Sequence, residues 1–204
     1  MSGKSPAVFL DRDGVINIDR TDFVKSWEEF EFAPGSLEAL AALSQTSYKI
    51  VVITNQSGIG RGLLTQETLE QMHARMIDRV GASGGRIDAI YYCPHAPGAG
   101  CECRKPAAGL FFEAARDLDI DLSLSWAIGD RHRDAEAANR AGVRAILLDR
   151  VLPDPNAVVE SPVQFIRAAD LFAAVQIIQN SAIAASCGAV LQGTSGLLNL
   201  TLWL

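Results

Sequence analysis

Short runs of apolar residues recur along the chain, AVFL at 7–10, KIVVI at 49–53, DAIYY at 88–92, WAIG at 126–129 and RAILL at 144–148, with helix-like periodicity between them. Most of these runs are apolar at consecutive positions instead of every second one, so both faces of the sheet they build must be covered. The cover comes from helical patterns over about 35–46, from Thr65 to the Gly81, Gly84 and Gly85 cluster, over 109–118 and over 134–141. Their ends are marked by local chemistry. The Thr65 hydroxyl can cap a helix with Glu67 in its first turn, and Gly142 stops the helix that precedes it. The series predicts an α/β fold, a three-layer, doubly wound parallel sheet, in which ligands gather at the carboxyl ends of the strands.

At 204 residues the chain is long enough for one domain, expected over 1–180. With 18 Lys plus Arg against 24 Asp plus Glu the net charge is −6, and no basic run interrupts it. A polyanion would be repelled, so nucleic acid is excluded as a partner. The opening MSGKSPAVFL leads straight into the first strand, so no signal peptide and a cytoplasmic location are expected. VLPDPNAVVESP at 151–162 looks like a linker, and LFAAVQIIQN after Asp170 suits a last helix. The uncharged stretch 181–204 is read as an extension; Gln192, Gly193, Thr194, Ser195, Gly196 and Asn199 interrupt it, so no membrane-spanning helix is expected. A monomer acting on a small molecule is the simplest partner expectation.

Three strands end in polar residues that would meet above the sheet: Asp11 and Asp13 after AVFL, Thr54 and Asn55 after KIVVI, and Asp130 after WAIG. In DRDG the two carboxylates stand two residues apart, and Gly14 lets the chain turn sharply. One can attack while the other handles protons. Carboxylates so crowded repel one another and any phosphate unless a hard, oxygen-seeking cation such as Mg²⁺ neutralises them. Lys105 offers a point charge for an anion.

FLDRDGVIN, VVITNQSGIGRG, CRKP and GDRHRD together resemble, in order and on the expected elements, the four motifs of the haloacid dehalogenase superfamily of phosphatases. More narrowly, DRDGVIN, DRTDFVKS, NQSGIGRG and YYCPH…CECRKP are similar to the group that removes the 7-phosphate from D-glycero-D-manno-heptose 1,7-bisphosphate in surface polysaccharide precursor synthesis. Histidinol-phosphate phosphatases are the nearest alternative and share the cysteine loop. The resemblance implies that Asp11 is a nucleophile forming an aspartyl-phosphate and Asp13 the general acid and base. Thr54 and Lys105 would hold the phosphoryl oxygens. Asp11, the backbone carbonyl of Asp13, and Asp130 would bind Mg²⁺. Asn55, Gln56, Ser57 and Arg131 belong to the matching motifs as substrate contacts, and Asp19, Arg20, Thr21 and Asp22 are placed against sugar hydroxyls. Asp134 either supports the site or caps the helix that follows. A planar guanidinium at Arg104, next to Lys105, suits a second phosphate. The interval from Ile87 to Trp126 leaves no room for a large cap domain.

Cys93, His95, Cys101 and Cys103 crowd into eleven residues rich in Gly and Pro. Three sulfurs and one imidazole in two close pairs suit a closed tetrahedral Zn²⁺ site that would fix a loop with no core of its own. A disulfide and metal-free thiols are the alternatives. Cys187 stands apart as a packing residue. A binding module that keeps the pocket without catalysis is the rival from another class. The short interval between His95 and Cys101, and Thr-Asp-Phe where many relatives have Gly-Tyr, depart from the commoner family pattern beside the substrate entrance.

Overall fold

The first strand, β1 (Ala7–Leu10), lies at the centre of a six-stranded parallel sheet with β2 (Lys49–Asn55), β3 (Ala89–Cys93), β4 (Trp126–Gly129), β5 (Arg144–Leu148) and β6 (Ile166–Ala168), ordered β3-β2-β1-β4-β5-β6. This is a computed structural model, and it describes residues 3–149 and 163–181. Side chains alternate across the sheet as the pleat requires. Val8, Leu10, Ile50, Val52, Ile128 and Ile146 enter one core, while Ala7, Phe9, Val51, Ile53, Ala127 and Leu147 enter the other. The first core is closed by α1 (Ser36–Ser44), α2 (Gln66–Ala82) and a helix over 171–181, here α5. The second is closed by α3 (Gly109–Asp117) and α4 (His132–Arg140). The doubly wound expectation is met.

The split of helices between faces follows from handedness. Parallel crossovers are right-handed, so β1 to β2 to β3 runs outward under one face and β3 to β4 to β5 returns under the other. The direction reverses between β1 and β4, which opens a crevice there above the carboxyl ends of the strands. Asp11 follows β1 and Asp130 follows β4, so the topology sets these two residues at that crevice.

Differences from the sequence expectation are local. β2 runs past Ile53 to Asn55, because Thr54 and Asn55 continue the register against Tyr92 and Cys93 of β3. β6 is a strand that was not expected: Ile166 and Arg167 are exposed, so its residues carry no strong apolar pattern, and pairing with β5 makes the strand. α4 starts two residues earlier than expected. Asp134 is not its N-cap; Arg131 is, and Asp134 at the third helical position accepts from the Arg131 backbone N–H at 2.9 Å. Thr65 caps α2 as expected, accepting from the Thr68 N–H. Among the described residues no cap domain is inserted between β3 and β4, and no helix is long and apolar enough to cross a membrane. The expected linker at 151–162, Cys187 and all but the first residue of the expected extension lie outside the described residues.

Candidate active site

Above the crevice lies a cavity of about 320 Å³ whose lining includes Asp11, Asp13, Thr54, Gln56, Ser57 and Asp130. A larger hollow of about 600 Å³, at the opposite end of the strands among Trp126, Asn139, Arg144 and Phe165, is lined by no acidic side chain, lysine or cysteine. The chemistry is at the carboxyl ends.

Gly14 makes the acidic floor possible. Its φ of +85° suits glycine, and a Cβ there would sit within 3 Å of the Asp130 carboxyl, so any side chain would push Asp130 out. Gly129 does the same for Asp134, whose own Cβ and carboxyl occupy the space a side chain would need. Asp11, Asp130 and Asp134 thus come together, with one carboxylate oxygen from each within 4.8 Å of the others. Burial pushes Asp11 up to about 6, with Lys105 opposing and Asp134 and Asp13 adding to the rise. Asp130 is pushed up to about 7 by burial, then by Asp11 and Asp134. Such crowded negative charge, all oxygen, fits a hard divalent cation.

Lys105 is buried beside this group. Its Nζ lies 2.9 Å from Asp11 Oδ2 and 2.7 Å from Asp134 Oδ1, and it donates to the Ile53 carbonyl at 2.9 Å. Burial disfavours the ammonium, but Asp11 and Asp134 outweigh it and raise the Lys105 pKa. Asn55 grips the backbone of Lys105 on both sides: its Nδ2 donates to the Lys105 carbonyl at 3.1 Å and its Oδ1 accepts from the Lys105 N–H at 3.0 Å. Asn55 was expected as a substrate contact; although it also lines the cavity, its amide is committed to placing Lys105.

Asp13 is held by several donors. Arg12 Nε and Nη2 reach Oδ1 at 3.2 and 2.8 Å, and Asn17 Nδ2 reaches it at 2.9 Å. Oδ2 accepts from Arg12 Nη2 at 2.9 Å and from Gln56 Nε2 at 2.7 Å. Burial acts to raise the Asp13 carboxyl, but the Arg12 charge and the hydrogen bonds from Arg12, Asn17 and Gln56 hold it below the usual carboxylate range. Gln56 Nε2 also donates to Thr54 Oγ1 at 2.9 Å, which ties Asp13 to the buried Thr54.

The mouth of the cavity is basic. Arg20, Arg61, Arg104, Arg131 and Arg133 line it with Phe23 and Pro97. Arg131 pairs with Asp19 at 2.6 Å, and Arg61 lies over the Phe23 ring at 5.7 Å. Thr21 and Asp22 are exposed and outside the lining; Asp22 instead pairs with Arg20 at 3.1 Å and Lys25 at 2.7 Å.

Cys93, at the end of β3, starts the second cluster. The atoms Cys93 Sγ and Cys101 Sγ, and Cys93 Sγ and His95 Nδ1, are 3.6 Å apart, and His95 Nδ1 is 3.3 Å from Cys103 Sγ. A tetrahedral zinc with bonds of about 2.3 Å to sulfur and 2.0 Å to nitrogen needs donor separations of about 3.5 to 3.8 Å, and the observed 3.3 to 3.6 Å lie close to that range, so the four side chains are placed to hold the ion. The three cysteines are free thiols, with no disulfide among them. The cluster also binds the neighbouring loop: Gln56 N–H donates to the Cys93 carbonyl at 2.8 Å and Gly60 N–H to the Pro94 carbonyl at 2.9 Å.

Comparison with known proteins places this geometry. A family model described as HAD-hydrolase-like matches residues 102–158. The D-glycero-beta-D-manno-heptose-1,7-bisphosphate 7-phosphatase of Bordetella bronchiseptica is 47% identical over 135 residues, 66% of this chain and 75% of that protein. The chain belongs to the heptose bisphosphate phosphatases, a family of HAD-like phosphatases. The Pseudomonas aeruginosa relative of the same name is 44% identical over 141 residues, 69% of this chain and 79% of its own. Among solved structures, the D,D-heptose 1,7-bisphosphate phosphatase of B. bronchiseptica, complexed with magnesium and phosphate, superposes with a TM-score of 0.78 at 38% identity, covering 86% of this chain and 99% of that one. The Burkholderia thailandensis enzyme gives 0.63 at 34% identity, with coverage of 86% and 99%.

The motif residues Asp11, Asp13, Thr54 and Asp130 converge at the crevice. Sequence reasoning overlooked Arg12, Asn17, Phe23, Arg61 and Arg133. Arg12 and Asn17 stand inside DRDGVIN and Arg61 inside NQSGIGRG, so the signal was present in motifs already singled out. Phe23 stands inside DRTDFVKS and Arg133 inside GDRHRD, so they too lay in quoted motifs, and only the fold shows that they line the cavity.

Proposed function

We propose that this phosphatase removes the 7-phosphate of D-glycero-beta-D-manno-heptose 1,7-bisphosphate, in the cytoplasm, on the way to surface polysaccharide. The observation that carries the reading is the ring of arginines around a cavity with Asp11 in its wall. One phosphate consumes Thr54 and Lys105 near Asp11, and the arginines remain for a second anion. Histidinol phosphate brings an amine and an imidazole, which this basic rim disfavours. The family relatives named above act on the bisphosphate.

In this reading Asp13, ionised at rest, first takes up a proton from solvent; an oxygen of Asp11 then attacks phosphorus, the bond from phosphorus to the C7 oxygen breaks, and that oxygen leaves with the electron pair and takes the proton from Asp13. Water then gives a proton back to Asp13 and attacks phosphorus, breaking the bond to Asp11 and releasing inorganic phosphate. A carboxylate nucleophile splits one hard hydrolysis into two easier steps. Lys105 and Thr54 hold the phosphoryl oxygens where charge spreads. Asp11, Asp130 and the Asp13 carbonyl would hold Mg²⁺, which supplies positive charge to those oxygens. Arg104 grips the phosphate that stays. Asp134 is a support for Lys105, and the Cys93, His95, Cys101 and Cys103 zinc site holds the loop that carries Arg104.

A phosphate-release screen over the heptose bisphosphate, other sugar phosphates and histidinol phosphate tests the proposal. Preference for the bisphosphate by at least about tenfold in kcat/KM is expected. A preference for histidinol phosphate overturns it.

A further inference from the structure

Among the described residues Arg12 is the largest fully buried side chain, and the reaction as described gives it no role. A buried guanidinium is costly unless every face is engaged. Here each face is. Nε and Nη2 form a fork on Asp13, Nη1 lies 3.3 Å from His73 Nε2 and 3.8 Å from Met72 Sδ on α2, and the Phe30 ring lies 5.9 Å from the guanidinium carbon. His73 is itself buried, its pKa pushed down to about 3 by burial and then by Arg12, so it is neutral and its Nε2 can accept from Arg12. The chain of contacts runs from a core helix, through His73 and Arg12, to a single carboxylate in the reaction cavity.

We infer that Arg12, backed by His73, is the positioning residue that aims Asp13. The two Asp13 oxygens are not held alike. Oδ1 takes three contacts, from Arg12 Nε, Arg12 Nη2 and Asn17 Nδ2, while Oδ2 takes two, from Arg12 Nη2 and Gln56 Nε2. The Gln56 amide that reaches Oδ2 is shared with Thr54 in the phosphoryl site. Oδ1 is therefore anchored by Arg12 and Asn17, while Oδ2 is the oxygen tied through Gln56 to Thr54 and the phosphoryl site. The planar fork fixes the carboxylate plane, which a lysine at this position would not. His73 holds the far end of the guanidinium and stops it from swivelling off Asp13.

This inference rests on Asp13 as the proton donor, and the test separates it from the choice of sugar. In kcat/KM only steps up to leaving-group departure count, so loss of the aimed acid hurts a poor leaving group and largely spares a good one. Phenyl phosphate and p-nitrophenyl phosphate supply the two cases, and neither depends on heptose recognition. Arg12→Lys should lose at least about tenfold more kcat/KM on phenyl phosphate than on p-nitrophenyl phosphate, with KM moved less than kcat. Combined with Asp13→Asn, it should cost nothing beyond Asp13→Asn alone, because both act through one group. His73→Leu, which leaves Arg12 and Asp13 in place, should show the same bias more weakly, and His73→Gln, whose amide oxygen can accept from Arg12, should restore most of it. Should Arg12→Lys not fold, the His73 pair alone decides. Equal losses on the two esters, additivity with Asp13→Asn, or His73 variants without bias would overturn the inference. Failure of the wild type on the heptose bisphosphate would overturn the substrate and leave this ratio readable.

Discussion

Lys105→Met removes a cation that faces two buried carboxylates at once. In the wild type the Lys105 side chain is 3% exposed and its partners Asp11 and Asp134 are 8% and 6% exposed, so solvent does little to screen the loss. Methionine fills nearly the same volume, which keeps a cavity out of the comparison. Breaking a buried pair by removing one partner typically costs about 3–5 kcal/mol, because the charge left behind has no compensation. For a chain of this size each kcal/mol moves Tm by about 2–4 °C, so melting should fall by about 6–20 °C. The measurement is calorimetry in magnesium-free buffer with zinc retained, since a bound cation would mask the orphaned charge. Adding Asp134→Asn to Lys105→Met removes one of the two stranded carboxylates and should restore at least about 1 kcal/mol, since the two sites couple directly. Activity should stay at least about 10²-fold down in both variants, because the double variant still lacks the ammonium proposed to hold the phosphoryl oxygens. A single variant melting within about 2 °C of wild type, or a double variant no more stable than the single, would refute the pairing argument.

Asp11→Asn should leave less than about a hundredth of the activity, since an amide is a poor nucleophile, while circular dichroism shows an intact fold; higher residual turnover would remove Asp11 from that role. Cys103→Ser should lower the zinc content of the purified protein well below one ion per chain and lower Tm, read by metal analysis and melting; full zinc with unchanged melting would exclude the four-residue site. Arg104→Ala should raise KM for the bisphosphate sharply and barely affect a sugar monophosphate, as expected of a group that holds the phosphate left in place. Equal losses on both substrates would place Arg104 at the reacting phosphoryl group instead.

The alternation of continuous apolar strands with amphipathic helices was enough to reach a doubly wound parallel sheet, because burial on both faces leaves a direct compositional mark. The ends of α2 were legible as well: Thr65 and the glycine cluster act within a few residues of themselves. β6 was not legible. Two of its three residues are exposed, and only the offered edge of β5 makes that segment a strand. Asp134 shows the limit of local reading in one residue. Its capping contact with the Arg131 N–H is a short-range event that sequence could suggest, whereas its 2.7 Å approach to Lys105 depends on the β4-to-α4 turn meeting the loop after β3.

The chemistry of the side chains was determined by the sequence itself: two carboxylates on one strand end, a lysine beside an arginine, and three thiols with an imidazole are sets whose reactivity follows from residue type and short spacing. What the tertiary structure decided is which of these groups face one another. Asp13 turns to Arg12, Asn17 and Gln56, Asn55 spends its amide on the backbone of Lys105, and His73, a helical residue 61 positions from Arg12, becomes its neighbour. The physical reason is the range of the forces. Propensity, capping and burial patterns act between residues close in the chain, while hydrogen bonds and ion pairs between distant segments exist only after the right-handed crossovers have brought the strand ends together.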